Sequence, residues 1–242
     1  DLPDKVEKDI WLNFSPEEKQ LYLANLAQVN EQLQQQLELE QVDSILIIAM
    51  MTRLRQICCE PRMLYENYKG ESTKFTMCLE LIETLKENGK KVLLFSSFTS
   101  IFDSFIEEFN QRGIKYHMIT GAVDKKKRKE EVDAFQSDDS DVFLISLKAG
   151  GTGLNLTKAQ AVIHYDPWWN VSAQNQATDR AYRIGQTKNV LVYQLLMKNT
   201  IEAKIYEMQK RKKEMSDIFV ENSNGGISTL SKEELRDLFS ME

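Results

Sequence analysis

Arg180 and Arg183, preceded by Gln176, are the side chains of this sequence best suited to chemistry. In QATDRAYRIGQ (176–186) they stand at i, i+4 and i+7, a spacing that a helix gathers onto one stripe. Two guanidiniums a turn apart repel one another unless anions meet them. Each carries a planar fork of donors that matches phosphate or carboxylate oxygens. Aimed at a transferring γ-phosphoryl group, such a pair would stabilise charge that grows in the transition state. A solvated arginine face is the plain alternative for an arbitrary helix. Upstream, LKAGGTGLN (147–155) sets Gly150, Gly151 and Gly153 ahead of Asn155. Glycines there permit positive φ and close backbone approach, so that amides can point at phosphate or ribose oxygens. Taken alone, the same loop is equally a tight turn between a strand and its crossover.

The elements that must position these residues alternate. Phe75, Cys78, Leu79, Ile82 and Leu85 recur at helical spacing, and Gly89 ends that helix. Val92–Phe95 is a short continuous apolar run, the pattern of a strand buried on both faces. Helix-periodic Ile101–Phe109, the apolar Tyr116–Ile119, a charged helix over Lys125–Phe135 and VFLIS (142–146) follow. AVIHY (161–165), a helix near 173–183, VLVYQLL (190–196) and a helix from Ile201 complete the series. Strands of this length alternating with helices predict an α/β fold, a doubly wound parallel sheet with helices on both faces. Ligands bind such sheets at the carboxyl ends of the strands. Here those ends carry Ser96–Thr99, the glycine loop, and Asp166-Pro167-Trp168-Trp169-Asn170.

Residues 1–65 have a different character. VEKDIWLNF alternates as a short strand does, and Ser15-Pro16-Glu17-Glu18 carries the signals of a helix start: a hydroxyl cap, Pro at N1 and carboxylates near the positive end of the dipole. The glutamine-rich stretch beyond predicts a polar helix projecting into solvent. A second helix is expected over Ile45–Leu54, ending before Pro61. SNGGISTLS (223–231) reads as a linker, and SKEELRDLF as a short helix opened by Ser231.

Composition narrows the function classes. The chain has 242 residues, 42% hydrophobic, which excludes wholesale disorder. With 31 basic against 37 acidic side chains it carries a net charge of −6, so any nucleic-acid contact must be a local basic groove rather than a basic coat. Three cysteines, Cys58 and Cys59 adjacent, make no disulfide framework and fit a reducing compartment. Two histidines and no Cys-x-x-Cys pair leave a structural zinc site without ligands, and no membrane role is expected. His117 and His164 read as satisfied core residues, the cysteines as small buried hydrophobes, Trp168 as packing, and Lys125–Lys129 as a solvated helix start.

FSSFTS, SLKAGGTGLNLTKAQAVIHYDPWWN and QATDRAYRIGQ together resemble motifs IV, V and VI of the Swi/Snf family of helicase superfamily 2, the helicase-like DNA translocases. LRQICCEPRML also resembles the segment that precedes the second motor lobe in that family. The resemblance implies a RecA-like lobe over residues 69–205, preceded by an interlobe linker and helical protrusion (1–68) and followed by a helical bracing tail (206–242). It implies that Arg180 and Arg183 are arginine fingers, with Gln176 beside them. Gly151, Gly153 and Asn155 fall at positions near the nucleotide, Trp169 against the DNA minor groove, and Ser97, Thr120 and Lys148 on the DNA side. The implied partners are double-stranded DNA, DNA-bound proteins and the N-terminal lobe of the same chain; the implied cofactors are ATP and Mg²⁺.

The sequence departs from a whole motor in one respect. It contains no G-x-x-x-x-G-K-[ST] phosphate loop and no acidic metal box, groups that a P-loop motor needs. The expectation is therefore a second lobe alone, catalytically silent, whose missing companion holds the ATP and Mg²⁺. A nucleotide-independent scaffold and a strand-separating helicase are the competing readings. The expected location is a bacterial cytoplasm, with the nucleus as the alternative.

Overall fold

The computed structural model describes residues 2–150, 153–212 and 230–241. Six strands form one sheet: β1 (Lys5–Leu12), β2 (Lys91–Ser96), β3 (Tyr116–Ile119), β4 (Val142–Ser146), β5 (Ala159–His164) and β6 (Val190–Met197). Their spatial order is β1-β6-β5-β2-β4-β3, and the pairs among β2 to β6 run parallel. β1 is parallel too, since Val190 donates to the Asp4 carbonyl and Lys198 to that of Leu12. The sheet is thus a parallel, RecA-like sheet surrounded by helices, as the alternating pattern predicts.

Central strands β2, β4 and β5 explain why their sequences are apolar runs. Val92–Phe95 and Val142–Ile145 are at most 1% exposed, because helices cover both faces. Each such side chain contributes roughly 1.5–3 kcal/mol by leaving water. On one side, α4 (Ile101–Arg112) delivers Phe102, Phe105 and Phe109 at i, i+3 and i+7. α4 stops at Gly113, which takes the left-handed conformation at φ 66°. Elsewhere in the same core, Phe95, Phe143, Ile145, Leu156, Val162, Trp168 and Ala177 share one cluster.

Two compact units divide the chain. The first comprises residues 1–10, 75–168 and 172–196 and holds most of the sheet. The second comprises residues 11–74, 169–171 and 197–242, and its described helices are α1 (Pro16–Leu37), α2 (Ser44–Cys59), α8 (Ile201–Lys212) and α9 (Lys232–Leu238). α1 opens with a full capping box: the Ser15 hydroxyl accepts from the Glu18 amide while the Glu18 carboxylate accepts from the Ser15 amide. Its glutamine-rich half does not simply project into solvent. Tyr22, Leu26, Val29, Leu33 and Leu37 form a buried stripe on a helix that packs with α2. The apolar residues sit one per turn, and polar neighbours mask them when the sequence is read by composition.

α9 carries the same device as α1, with Ser231 and Glu234 completing a capping box. The Lys232 ammonium donates to the carbonyls of Leu37 and Leu39, fastening α9 to the end of α1. Most of the 223–231 linker lies outside the described residues.

In the second unit Lys74, at the start of α3 (Thr73–Glu87), meets Glu202, at the start of α8. Both are fully buried, and the ammonium contacts both carboxylate oxygens at 2.7 and 2.6 Å. Glu202 also accepts from the Met197 amide at 3.0 Å. Burial opposes the Lys74 charge, yet the facing carboxylate keeps its pKa above the ordinary lysine value.

Candidate functional site

The arginine segment is built differently from the sequence expectation. α7 covers Val171–Thr178 and stops there; Gln176 lies on it, exposed. Arg180 and Arg183 follow on tight turns: Arg180 donates its amide to Ala177, Tyr182 to Thr178 and Gln186 to Arg183. The i, i+4, i+7 stripe is therefore not one helix face. Long-range bonds replace helix continuation: the Arg180 carbonyl accepts from the Leu156 amide at 2.9 Å, and an Arg183 Nη1 donates to the Leu154 carbonyl at 3.3 Å. These two bonds stitch the segment to the glycine loop. Arg180, Arg183, Gly153 and Asn155 thus meet in one place.

The electrostatics of that place are unbalanced. Arg180 is half-buried, and its Nε has no hydrogen-bond partner among the described residues. Burial, reinforced by the neighbouring Arg183, lowers the Arg180 pKa, with Asp179 opposing. Neither arginine makes an ion pair among the described residues. Arg183 is exposed. Burial and the nearby guanidinium thus disfavour the Arg180 charge, and phosphate oxygens would relieve it.

The loop beside them presents Gly153 at φ 43°, a left-handed conformation that costs a glycine little. Gly153 and Asn155 are exposed; Gly151 lies outside the described residues. The segment before it is not an open loop, because Leu147–Gly150 makes one helical turn, α6. Gly150 has a steric reason to be glycine, since an added Cβ would stand 3.2 Å from the Phe95 ring.

A crevice of about 470 Å³ adjoins this loop, lined by Gly153, Leu154 and Asn155 and by Lys125, Arg128, Lys129 and Val132 of α5 (Lys125–Ser137). The lysines of the basic helix start are exposed, as expected, and three of its cations border the glycine loop. Lys127 points elsewhere and pairs with Glu131.

The carboxyl edge of the sheet collects a second group. Ser97 follows β2, Lys148 follows β4 and Thr120 follows β3, and these strands are consecutive in the order β2-β4-β3. With neighbouring strands about 4.8 Å apart, the three residues form a row along one edge. Gly121 lies against Lys148, where an added Cβ would approach the lysine Cβ to 3.3 Å. Asp166, buried, accepts from the Ser96 hydroxyl at 2.8 Å and the Ser97 amide at 3.0 Å, which fixes the FSSFT turn.

The tryptophans separate. Trp168 is core, edge-on to Phe95 and His164. Trp169, between β5 and α7 in the chain, is half-buried and belongs to the second unit.

Buried polar side chains hold the site from behind. His164 Nε2 lies 2.9 Å from the Thr178 hydroxyl at the end of α7, and its Nδ1 has no partner among the described residues. Burial pushes the His164 pKa down to about 4, against a smaller pull from Asp166, so the ring is neutral at pH 7. Gln174 bridges the Gln194 side chain and the Trp168 amide. Gln186 donates to the carbonyls of Ala159 and Ala181 and accepts from the amides of Thr187 and Lys188. Sequence reading missed Gln174 and Gln186; a glutamine after an R-I-G turn gives no signal of its own. It also placed His117 in the core. That ring is instead clamped on the edge strand β3 by Glu131 at Nδ1 (2.7 Å) and Asp138 at Nε2 (2.6 Å). The three cysteines are buried and form no disulfide. Among the described residues no His, Cys, Asp and Glu cluster could hold a metal ion.

This architecture matches known proteins. Residues 73–185 match the family model described as the helicase conserved C-terminal domain. The chain is 34% identical over 99% of its length to a Bacillus subtilis protein named an ATP-dependent helicase/translocase, of which it covers 26%. It is 32% identical over 97% of its length to a mouse SWI/SNF-related regulator of chromatin, covering 24% of that protein. The Sulfolobus solfataricus SWI2/SNF2 ATPase core solved with double-stranded DNA superposes at a TM-score of 0.82 with 30% identity, covering 99% of this chain and 51% of the core. The fold is thus that of a helicase C-terminal lobe. The chain belongs to the Swi/Snf family of helicase superfamily 2, and it spans about a quarter of the curated relatives it matches.

Proposed function

We propose that this chain acts as the second lobe of an ATP-dependent motor that translocates on double-stranded DNA and remodels protein–DNA complexes. In the cleft between lobes, a companion lobe of the same protein holds ATP and Mg²⁺, and Arg180 and Arg183 enter as arginine fingers. The observation that carries this reading is the unmatched pair itself: Arg180 half-buried with an orphan Nε, Arg183 beside it, and both stitched to the glycine loop. A scaffold has no use for cations kept uphill in this way. Gly153 and Asn155 supply polar groups next to the fingers, and Gln176 approaches from α7.

The residues act by positioning and by charge. Closure of the cleft carries the two guanidiniums onto the γ-phosphate, where they neutralise charge that builds on its oxygens. Opening after hydrolysis shifts the lobe along one DNA strand, a hinge motion. Ser97, Thr120 and Lys148 along the sheet edge would meet phosphate and sugar, so the contacts are independent of sequence. Lys125, Arg128 and Lys129 add basic charge next to the glycine loop, and Trp169 couples the DNA minor groove to the stroke. The solved core with double-stranded DNA and the relative named a translocase support duplex DNA as the track.

The test is made in the full-length protein. Arg180→Ala or Arg183→Ala is expected to lower DNA-stimulated ATP turnover by about 10³-fold or more, with DNA affinity nearly unchanged. Turnover that survived either substitution would refute the finger assignment. Turnover that fell only in step with DNA affinity would make these residues DNA ligands instead.

A further inference from the structure

Ile184 follows Arg183 directly and is 91% exposed, the most exposed large hydrophobic side chain among the described residues. Its exposure is not that of a loose loop. Gln186 donates its amide to the Arg183 carbonyl at 2.9 Å, closing a β-turn with Ile184 and Gly185 at its centre. Gly185 stands at φ 103°, the position where a type II turn demands glycine. The Gln186 side chain, itself buried, then locks the turn from beneath through the carbonyls of Ala159 and Ala181 and the amides of Thr187 and Lys188, all at 2.9–3.0 Å. The fold spends five hydrogen bonds on holding an isoleucine in water. An isolated exposed apolar residue is ordinary, but one presented rigidly has its backbone entropy already lost before any partner arrives.

We infer that Ile184 is the apolar anchor by which this lobe docks onto the companion lobe when the cleft closes. This rests on the proposed motor reading. Consecutive Cα atoms are 3.8 Å apart, so a surface that offers a phosphate to Arg183 must also meet the Arg183–Ile184 turn. The solved SWI2/SNF2 core is about twice the length of this chain, which leaves room for such a surface. Duplex DNA is the poorer occupant, since a hydrated phosphate backbone gives an isoleucine nothing to pack on. A second copy is poorer still: a stable dimer buries about 800 Å² per partner, far beyond one side chain. Arg183 and Ile184 then divide the work on a single turn. The guanidinium reads the phosphate, and the side chain beside it fixes the depth and angle at which the lobe closes.

Ile184→Ser, Ile184→Val and Arg180→Ala in the full-length protein test this together. Ile184→Ser is expected to lower turnover at saturating ATP and DNA about tenfold. The DNA dissociation constant should stay unchanged and the melting temperature should hold within about 1 °C, as befits a residue without packing. Ile184→Val should retain most of the turnover. Unchanged turnover in Ile184→Ser, with Arg180→Ala silent, would overturn the anchor and leave the motor standing. Full turnover in Arg180→Ala would instead remove the finger assignment on which the anchor depends. A loss confined to DNA affinity would assign Ile184 to DNA, and a change in subunit number would assign it to a second copy; either result refutes the anchor.

Discussion

Lys74 and Arg180 are both cations drawn out of water, one in each compact unit, and they have been treated in opposite ways. Lys74 is fully buried and matched, with Glu202 bidentate on its ammonium and the Met197 amide on the carboxylate. Arg180 is half-buried and unmatched, with an orphan Nε and a second guanidinium nearby. A matched buried pair is weak evidence for anything beyond structure. Arg180, unmatched, is held at an electrostatic cost that an arriving anion would relieve. The difference separates a cation matched within the fold from one that the fold leaves without an anion.

Substitutions should fall on either side of that divide. The largest effect is expected from Arg180→Ala: about 10³-fold in turnover, with stability unchanged or slightly improved because a strained charge is gone. Lys74→Met should do the reverse, costing about 3–5 kcal/mol in urea unfolding by leaving Glu202 charged and alone in the core. Adding Glu202→Leu should recover part of this loss, the unpaired Met197 amide accounting for the remainder. A Lys74→Met variant as stable as the parent would erase the contrast.

His164 supplies an intermediate case, a basic group kept neutral. The unfolded chain takes up this proton near pH 6.5 and the folded chain only near 4. Stability is therefore complete above pH 6.5 and is lost as the pH falls from there to 4, by about 3 kcal/mol at the lower end. His164→Gln should flatten the unfolding profile across this window, and a parent profile already flat there would contradict the buried neutral ring.

Local chemistry was legible in the sequence; distant chemistry was not. Val142–Ser146 is a strand over the residues its apolar run marks, because a strand covered on both faces has no polar positions to blur its ends. Ser15 and Ser231 cap helices as written. The helix expected near 173–183 stops at Thr178, although neither glycine nor proline occurs before Gly185. What ends it is tertiary: Leu156 claims the Arg180 carbonyl and Leu154 an Arg183 Nη1, from a loop more than twenty residues upstream. Arg180, Arg183, Gly153 and Asn155 could be picked out by type and spacing, yet that Gly153 and Asn155 adjoin Lys125, Arg128 and Lys129 emerges only once α5 is folded beside the loop. Lys74 and Glu202, 128 positions apart, carry no sequence sign of one another. His117 was misjudged for the same reason, its carboxylate clamps lying on other elements.

The central claim is that the unmatched arginines meet a transferring phosphate, and the most direct measurement is a structure of the full-length protein on duplex DNA with ADP, Mg²⁺ and aluminium fluoride. The account predicts both guanidiniums within hydrogen-bonding distance of the fluoroaluminate. Guanidiniums turned to solvent, to DNA or to a carboxylate while the fluoroaluminate is bound would contradict it.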